Sequence, residues 1–278
     1  MKVVRSFTIV ALGATILLSL GCQEQINYLK ARSALNKGVT SFAAANYQAA
    51  AVQFGNAIEL DPELTAAKAY QAYAYMNQYI PGAEFAENAE IAQQAIDGFQ
   101  GVLDTEPGNM LAVSSLASLY FNMKEFETSE EWHNKRIELA MALTPPDPGA
   151  AESYYTIGVI KWTESYEPRM TARAEMEMEP LEPGPLKDAD RRREIAETAI
   201  PTINEGLDAL QNALDINPDY ADAMIYLNLL ERERADFAES AEEYEEHTAK
   251  ANVWVEQALA TKRRLAEEST VAQFAPEE

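Results

Sequence analysis

The chain has 278 residues, 47% of them apolar, and a formal net charge of −23. The apolar share excludes disorder as the default state. The negative field opposes phosphate backbones and anionic head groups, so neither a nucleic-acid partner nor membrane attachment through a basic patch is expected. The single cysteine, Cys22, excludes an internal disulfide and a cysteine-based metal cluster.

The first 22 residues read as an address. Lys2 and Arg5 precede an apolar stretch from Phe7 to Leu20, too short to cross a hydrocarbon core of about 30 Å comfortably as a helix. The stretch Leu18-Ser19-Leu20-Gly21-Cys22 resembles a bacterial lipoprotein box. That resemblance implies removal of residues 1–21 as a signal peptide, lipidation of Cys22, and a short tether over 22–30. Acyl chains would then provide the membrane anchor. Gln23 after the cysteine implies the outer membrane of a bacterial envelope, with the rest of the chain in the periplasm.

Beyond the tether, the chain repeats itself. The stretches Phe54 to Pro62, Phe99 to Pro107 and Leu210 to Pro218 share one spacing. A large residue is followed three positions on by Ala57, Val102 or Ala213, and an acid or amide then precedes the proline. Each predicts the end of an amphipathic helix, because proline cannot continue it. New helices rich in Ala, Tyr and Leu start after each proline.

This pattern resembles the tetratricopeptide repeat, a helix–turn–helix unit, and implies an all-α solenoid: a right-handed superhelix of about five antiparallel helix pairs over residues 31–267. The unit at about 31–64 carries Gly38, Ala50, Phe54, Ala57 and Pro62 at the family's positions. Small residues there let two helices approach, and the large one fills the remaining space. The second, 65–109, keeps Ala72, Ala95, Phe99 and Pro107 but has extra residues around Tyr79 to Gly82. The third, 110–150, places Ala117, Tyr120, Ser129, His133 and Arg136. The fourth, 151–220, has Gly158, Gly206, Leu210, Ala213 and Pro218 around an insertion at 165–190. The fifth, 221–267, places Asn228, Ser240, Tyr244 and His247, and a flexible tail is expected over 268–278. The stretch Met224 to Asp236 and the segment Leu181 to Pro185 are also similar to tetratricopeptide lipoproteins common in Acidobacteria.

Within the insertion, proline density predicts irregular chain, read as a solvated connection or, alternatively, a lid or docking loop using Met170, Met176 and Met178. Pro201 is expected to start or kink the helix that follows it.

The resemblance also implies that first helices line a concave binding face. The corresponding positions are Leu35, Val39 and Phe42; Tyr73 and Met76 (with Ala69); Phe121 (with Ser114 and Ser118); and Tyr155, Val159 and Trp162. Spacings of three and four put each set on one helical stripe. Such a face suits a protein or peptide with apolar anchors, although each residue could equally be core packing. Leu35 and Val39 stand where the family's carboxylate-clamp version has Lys and Asn, which disfavours a receptor for peptide C-termini.

Catalysis needs paired groups, and neither of the two histidines, His133 and His247, has a suitably spaced partner. No metal-ligand cluster or phosphate-cradling loop is legible, so no cofactor and no enzymatic activity are expected. The sequence therefore predicts a membrane-anchored interaction scaffold. A structural or assembly role for outer-membrane proteins or a secretion system is one alternative, and binding of cell-wall glycan or a small ligand is another.

Overall fold

The structure, a computed structural model, describes residues 25–274 apart from Leu181, with backbone only over 271–274. These residues form helices joined by short turns and loops, with no strand among them. In chain order they are α1 (25–43), α2 (Tyr47–Leu60), α3 (Thr65–Met76), α4 (Ala86–Thr105), α5 (Met110–Asn122), α6 (Phe126–Met141), α7 (Ala150–Glu175), α8 (Ala189–Ile216), α9 (Ala221–Asp236) and α10 (Ala241–Phe274). The chain divides into a first unit ending at Ser129 and a second starting at Glu130.

Two local devices recur. Each predicted acid-or-amide–proline signature ends a helix in the same way: Asp61, Glu106 and Asn217 take φ/ψ of −144°/87°, −131°/74° and −128°/89°. The following proline disfavours helical ψ at these positions. Their N–H groups still donate to Ala57, Val102 and Ala213, each at 2.9 Å, while their carbonyls accept from Leu64, Asn109 and Tyr220. The turn thus hands the chain directly to the start of the next helix.

The second device closes α1, α5 and α7. Ala45, Lys124 and Glu177 have positive φ (56°, 62° and 54°). Asn46, Glu125 and Met178, the residues after them, donate N–H bonds to Ser41, Tyr120 and Arg173 at 2.9–3.0 Å. This is the Schellman closure, built here without glycine.

Packing in the first unit rests on small residues facing large ones. Phe54, Ala50 and Ala57 of α2 are fully buried against Ala31, Leu35 and Ala67. A methyl group at Gly98 would lie 2.8 Å from Ala72 Cβ, so α4 and α3 touch nearly backbone to backbone. Ala95, Phe99 and Val102 are buried on the same face of α4. The extra residues after α3 form an ordered turn pinned by the buried Asn88, whose amide donates to Ile80 and Ala83 carbonyls and accepts from Ile80 N–H.

In the second unit Gly158 faces Leu210 and Gly206 faces Leu230, with a methyl at either glycine falling 2.4 Å or 2.7 Å from the leucine. Ala213, Ile203 and Leu230 are fully buried in the core of this unit. His133 is 5% exposed, and neither ring nitrogen has a hydrogen-bond partner. Burial pushes its pKa down to about 4.

Four expectations change. Helix α7 does not stop at the predicted insertion but runs through Pro168 to Glu175. Pro168 is exposed, so the carbonyl it leaves without a helical donor is not sealed in the core. Likewise α8 starts at Ala189 and passes through the exposed Pro201. Its N-terminus is set by the Asp188 side chain, which accepts from Asp190 and Arg191 N–H. The tether expected over 22–30 is helical from residue 25. Helix α10 reaches Phe274 through the expected tail, because strong helix formers and pairs such as Arg264–Glu268 carry it on.

What remains of the insertion, described over 176–180 and 182–188, packs as a strap and not as a solvated connection. Met178 and Leu186 within it are buried in the second unit's core. Leu186 N–H donates to the Asp236 carbonyl at 2.9 Å, which ties the strap to the end of α9.

Candidate binding site

The first-helix residues singled out by sequence separate into three groups. Leu35 and Val159 are buried, at 8% and 9% exposure, at the inner edge of their stripes. Val39 is exposed. Phe42, Tyr73, Met76, Phe121, Tyr155 and Trp162 are half-buried. The repeat-signature prolines Pro62, Pro107 and Pro218 are exposed at turns, whereas Gly38 and Gly158 are buried.

In the first unit the half-buried rings mostly serve their own packing. Tyr73 stands edge-on to Phe99 at 5.1 Å, and its hydroxyl accepts from Ser115 Oγ at 2.9 Å. Phe42 meets Tyr47 edge-on at 5.1 Å, and Phe121 meets Phe126 at 5.8 Å.

In the second unit five rings join into one continuous run. Tyr220 and Tyr155 lie 4.9 Å apart, Tyr155 and Tyr226 5.6 Å, Tyr226 and Trp162 5.5 Å, and Trp162 and Tyr166 5.0 Å. Helix α7 supplies Tyr155, Trp162 and Tyr166 at spacings of seven and four, one stripe of the helix. Helix α9 supplies Tyr226, and its N-cap is Tyr220. Burial raises the hydroxyl pKa of Tyr155 to about 12 and raises those of Tyr220 and Tyr226 as well. All three therefore stay protonated and uncharged at neutral pH.

At its Trp162–Tyr166 end the aromatic run opens into a cavity of about 580 Å³ between α7, α9, the start of α10 and the strap. The strap side carries Pro180 and Pro183, and α10 contributes Tyr244. Below lies a buried charge cluster. Arg173, 2% exposed, holds both carboxylate oxygens of Asp236 at 2.8 and 2.9 Å and donates to the strap carbonyls of Glu179 and Glu182. Arg169 donates to Asp236 at 2.7 Å and sits under the Tyr166 ring, 5.3 Å from its centroid. Glu233, 1% exposed, accepts from Ser165 through one oxygen. Burial pushes its carboxyl up to about 7, with Asp236 adding to the push and Arg169 and Ser165 opposing it.

Sequence reasoning reached Tyr155 and Trp162 but missed Tyr166, Tyr220, Tyr226 and the charge cluster. A signal was present: the apolar stripe of Met224 to Asp236 is interrupted by Glu231, Glu233 and Asp236 at positions that bury. No metal-holding cluster of His, Cys, Asp and Glu exists among the described residues, and no helix among them is long and apolar enough to cross a membrane. Cys22 and residues 1–21 lie outside the described residues.

No protein-family model matches the chain, and no curated protein matches its sequence. Solved structures do match in fold. A crystal structure of MamA aligns with a TM-score of 0.52 at 13% identity, covering 83% of this chain and 96% of the MamA chain. The MamA RS-1 ArsTM double mutant gives 0.55 at 13% identity, over 85% and 96%. YrrB, a TPR protein with an unusual peptide-binding site, gives 0.49 at 14% identity, over 83% and 90%. Together with the helix-only architecture, the MamA likeness gives the chain an all-α fold of the tetratricopeptide-repeat type.

Proposed function

We propose that this protein is a non-catalytic interaction scaffold that holds a protein or peptide partner on the aromatic face of α7 and α9. The observation that carries the reading is the unbroken run from Tyr220 through Tyr155, Tyr226 and Trp162 to Tyr166. A core needs rings buried; here five remain partly open to solvent in one continuous surface. Tyrosine and tryptophan provide large contact area with few rotors, which is why they anchor interfaces. The hydroxyl–carboxyl pair at the cavity, Ser165 with Glu233, lies inside a buried cluster with Arg169 and is read as structural.

The reading extends to place and attachment. Cys22, behind its short apolar stretch, receives the lipid, and the array is held at a bacterial membrane, the outer one by the Gln23 rule, among similar envelope lipoproteins. Sequence supports this part, through the lipoprotein-box resemblance alone.

Affinity capture from envelope extracts with the full chain, compared with Tyr155→Ala, Tyr226→Ala and Tyr166→Ala forms of unchanged thermal stability, tests the scaffold. A partner recovered by the parent and lost with the variants supports the reading; equal recovery by all moves the site elsewhere. Mass spectrometry of the N-terminal peptide tests Cys22: an unmodified cysteine still preceded by residues 1–21 overturns the anchor.

A further inference from the structure

We infer that the cavity beside Tyr166 is a recognition pocket for a neutral, amide-bearing segment of polypeptide with an apolar ring, and that it rejects charged ends. This deepens the scaffold reading and rests on it for the natural occupant.

Two buried polar atoms of residues that line the cavity have no hydrogen-bond partner: Glu233 Oε1, an acceptor, and Arg169 Nε, a donor. Glu233 is itself 1% exposed. An orphaned buried polar atom has lost its water without gaining a partner, so a pair of them is a standing cost that a ligand can relieve. The two belong together, since Arg169 Nη2 lies 3.7 Å from the same Oε1.

A donor and an acceptor side by side specify the complement. A carboxamide or peptide group offers an N–H and a C=O in one planar unit and serves both atoms at once. A cation drawn to Glu233 would meet the Arg169 guanidinium, and an anion drawn to Arg169 would meet Glu233 and Asp236. Each would enter a low-dielectric site with a like charge at contact distance.

The walls agree with this floor. Trp162, Tyr166, Tyr244, Pro180 and Pro183 present flat apolar faces, which suit an aromatic or proline ring. The volume of about 580 Å³ falls within the range of small-ligand pockets and exceeds one side chain, so the ring and its flanking peptide groups both fit. Tyr166 lies directly over Arg169 and is 39% exposed, so it is the cover that must swing aside for an amide to reach the floor.

Three probes built on one phenylalanine core, with either end left charged or capped as an amide, test the inference on the full chain: N-acetylphenylalanine amide (neutral), N-acetylphenylalanine (anionic) and phenylalanine amide (cationic), titrated by calorimetry. The neutral probe is expected to bind saturably, about tenfold or more tighter than either charged one. Tyr166→Ala and Glu233→Gln are expected to change that preference by several-fold while circular dichroism stays unchanged. Equal affinity for all three, preference for a charged probe, or insensitivity to both substitutions overturns the inference. If the neutral probe fails while the Tyr155 and Tyr226 variants still lose a partner, the pocket alone is wrong. If it binds but no variant loses a partner, the cavity takes a small neutral ligand and the scaffold reading falls.

Discussion

The Phe54 ring fills the space that a side chain at position 38 would need: a methyl group there would lie 2.4 Å from Phe54 Cε1 and 2.5 Å from Cδ1. The glycine and the phenylalanine are therefore one packing unit shared between α1 and α2. Gly38→Ala is expected to destabilise by about 1–3 kcal/mol through overpacking, which outweighs the helix-propensity gain of about 1 kcal/mol. Gly158→Ala against Leu210 should behave alike, whereas Gly101→Ala, with nothing within 4 Å of the new methyl, should stabilise by about 1 kcal/mol. Urea unfolding of the three variants checks the contrast; a stabilised Gly38→Ala would contradict the packing.

Ala45 closes α1 with φ of 56° and is exposed. A non-glycine residue in this conformation costs about 1–2 kcal/mol, partly offset by the greater freedom glycine has when unfolded. Ala45→Gly is expected to raise stability by about 0.5–1 kcal/mol, read as a higher denaturant midpoint with unchanged slope.

Burial of His133 sets one pH dependence. Its folded pKa of about 4 lies below the ordinary 6.5, so the folded state favours the neutral ring. The associated stability, about 3 kcal/mol, is fully present above pH 6.5 and is lost as pH falls from there through 4. His133→Leu should flatten the stability curve over that window. An unchanged curve would show that the ring can protonate where it sits.

Glu233 works with the opposite sign. Its carboxyl is pushed up to about 7, so the folded state favours the protonated form. Stability from this group is greatest below pH 4.5 and declines as pH rises through 7. Glu233→Gln should remove that decline, seen as a thermal midpoint that no longer drops between pH 5 and pH 8; a decline of undiminished size would place its origin elsewhere.

The Arg173–Asp236 pair joins α7, α9 and the strap inside the second unit. Removing one partner leaves the other charged and buried, so Arg173→Ala is expected to cost about 3–5 kcal/mol. Hydrogen exchange should show lost protection first at Met178 and Leu186, the strap residues whose N–H groups bond Arg173 and Asp236 carbonyls. Unchanged protection at Met178 and Leu186 would contradict the strap's dependence on this pair.

Much of the fold was legible because its rules are local. Asp61, Glu106 and Asn217, each before a proline, end their helices as the repeated spacing predicts, and Gly38, Ala50 and Phe54 follow the spacing that buries them. Helix identity and the proline turns came from chain neighbours within a few residues, which a sequence displays directly.

The tertiary structure alone decided the rest. Helices continue past Pro168 and Pro201 because the turns beyond them bury Ala172 and Ile203 in the second unit's core, and that burial is a property of the assembled unit. Glu233 and Asp236 look like solvated carboxylates in the sequence until Arg169 and Arg173, more than sixty residues away, are folded against them. The tyrosines of α7 and α9 become one surface for the same reason: helical spacing aligns residues along one helix, but only the packing of two helices determines which rings meet.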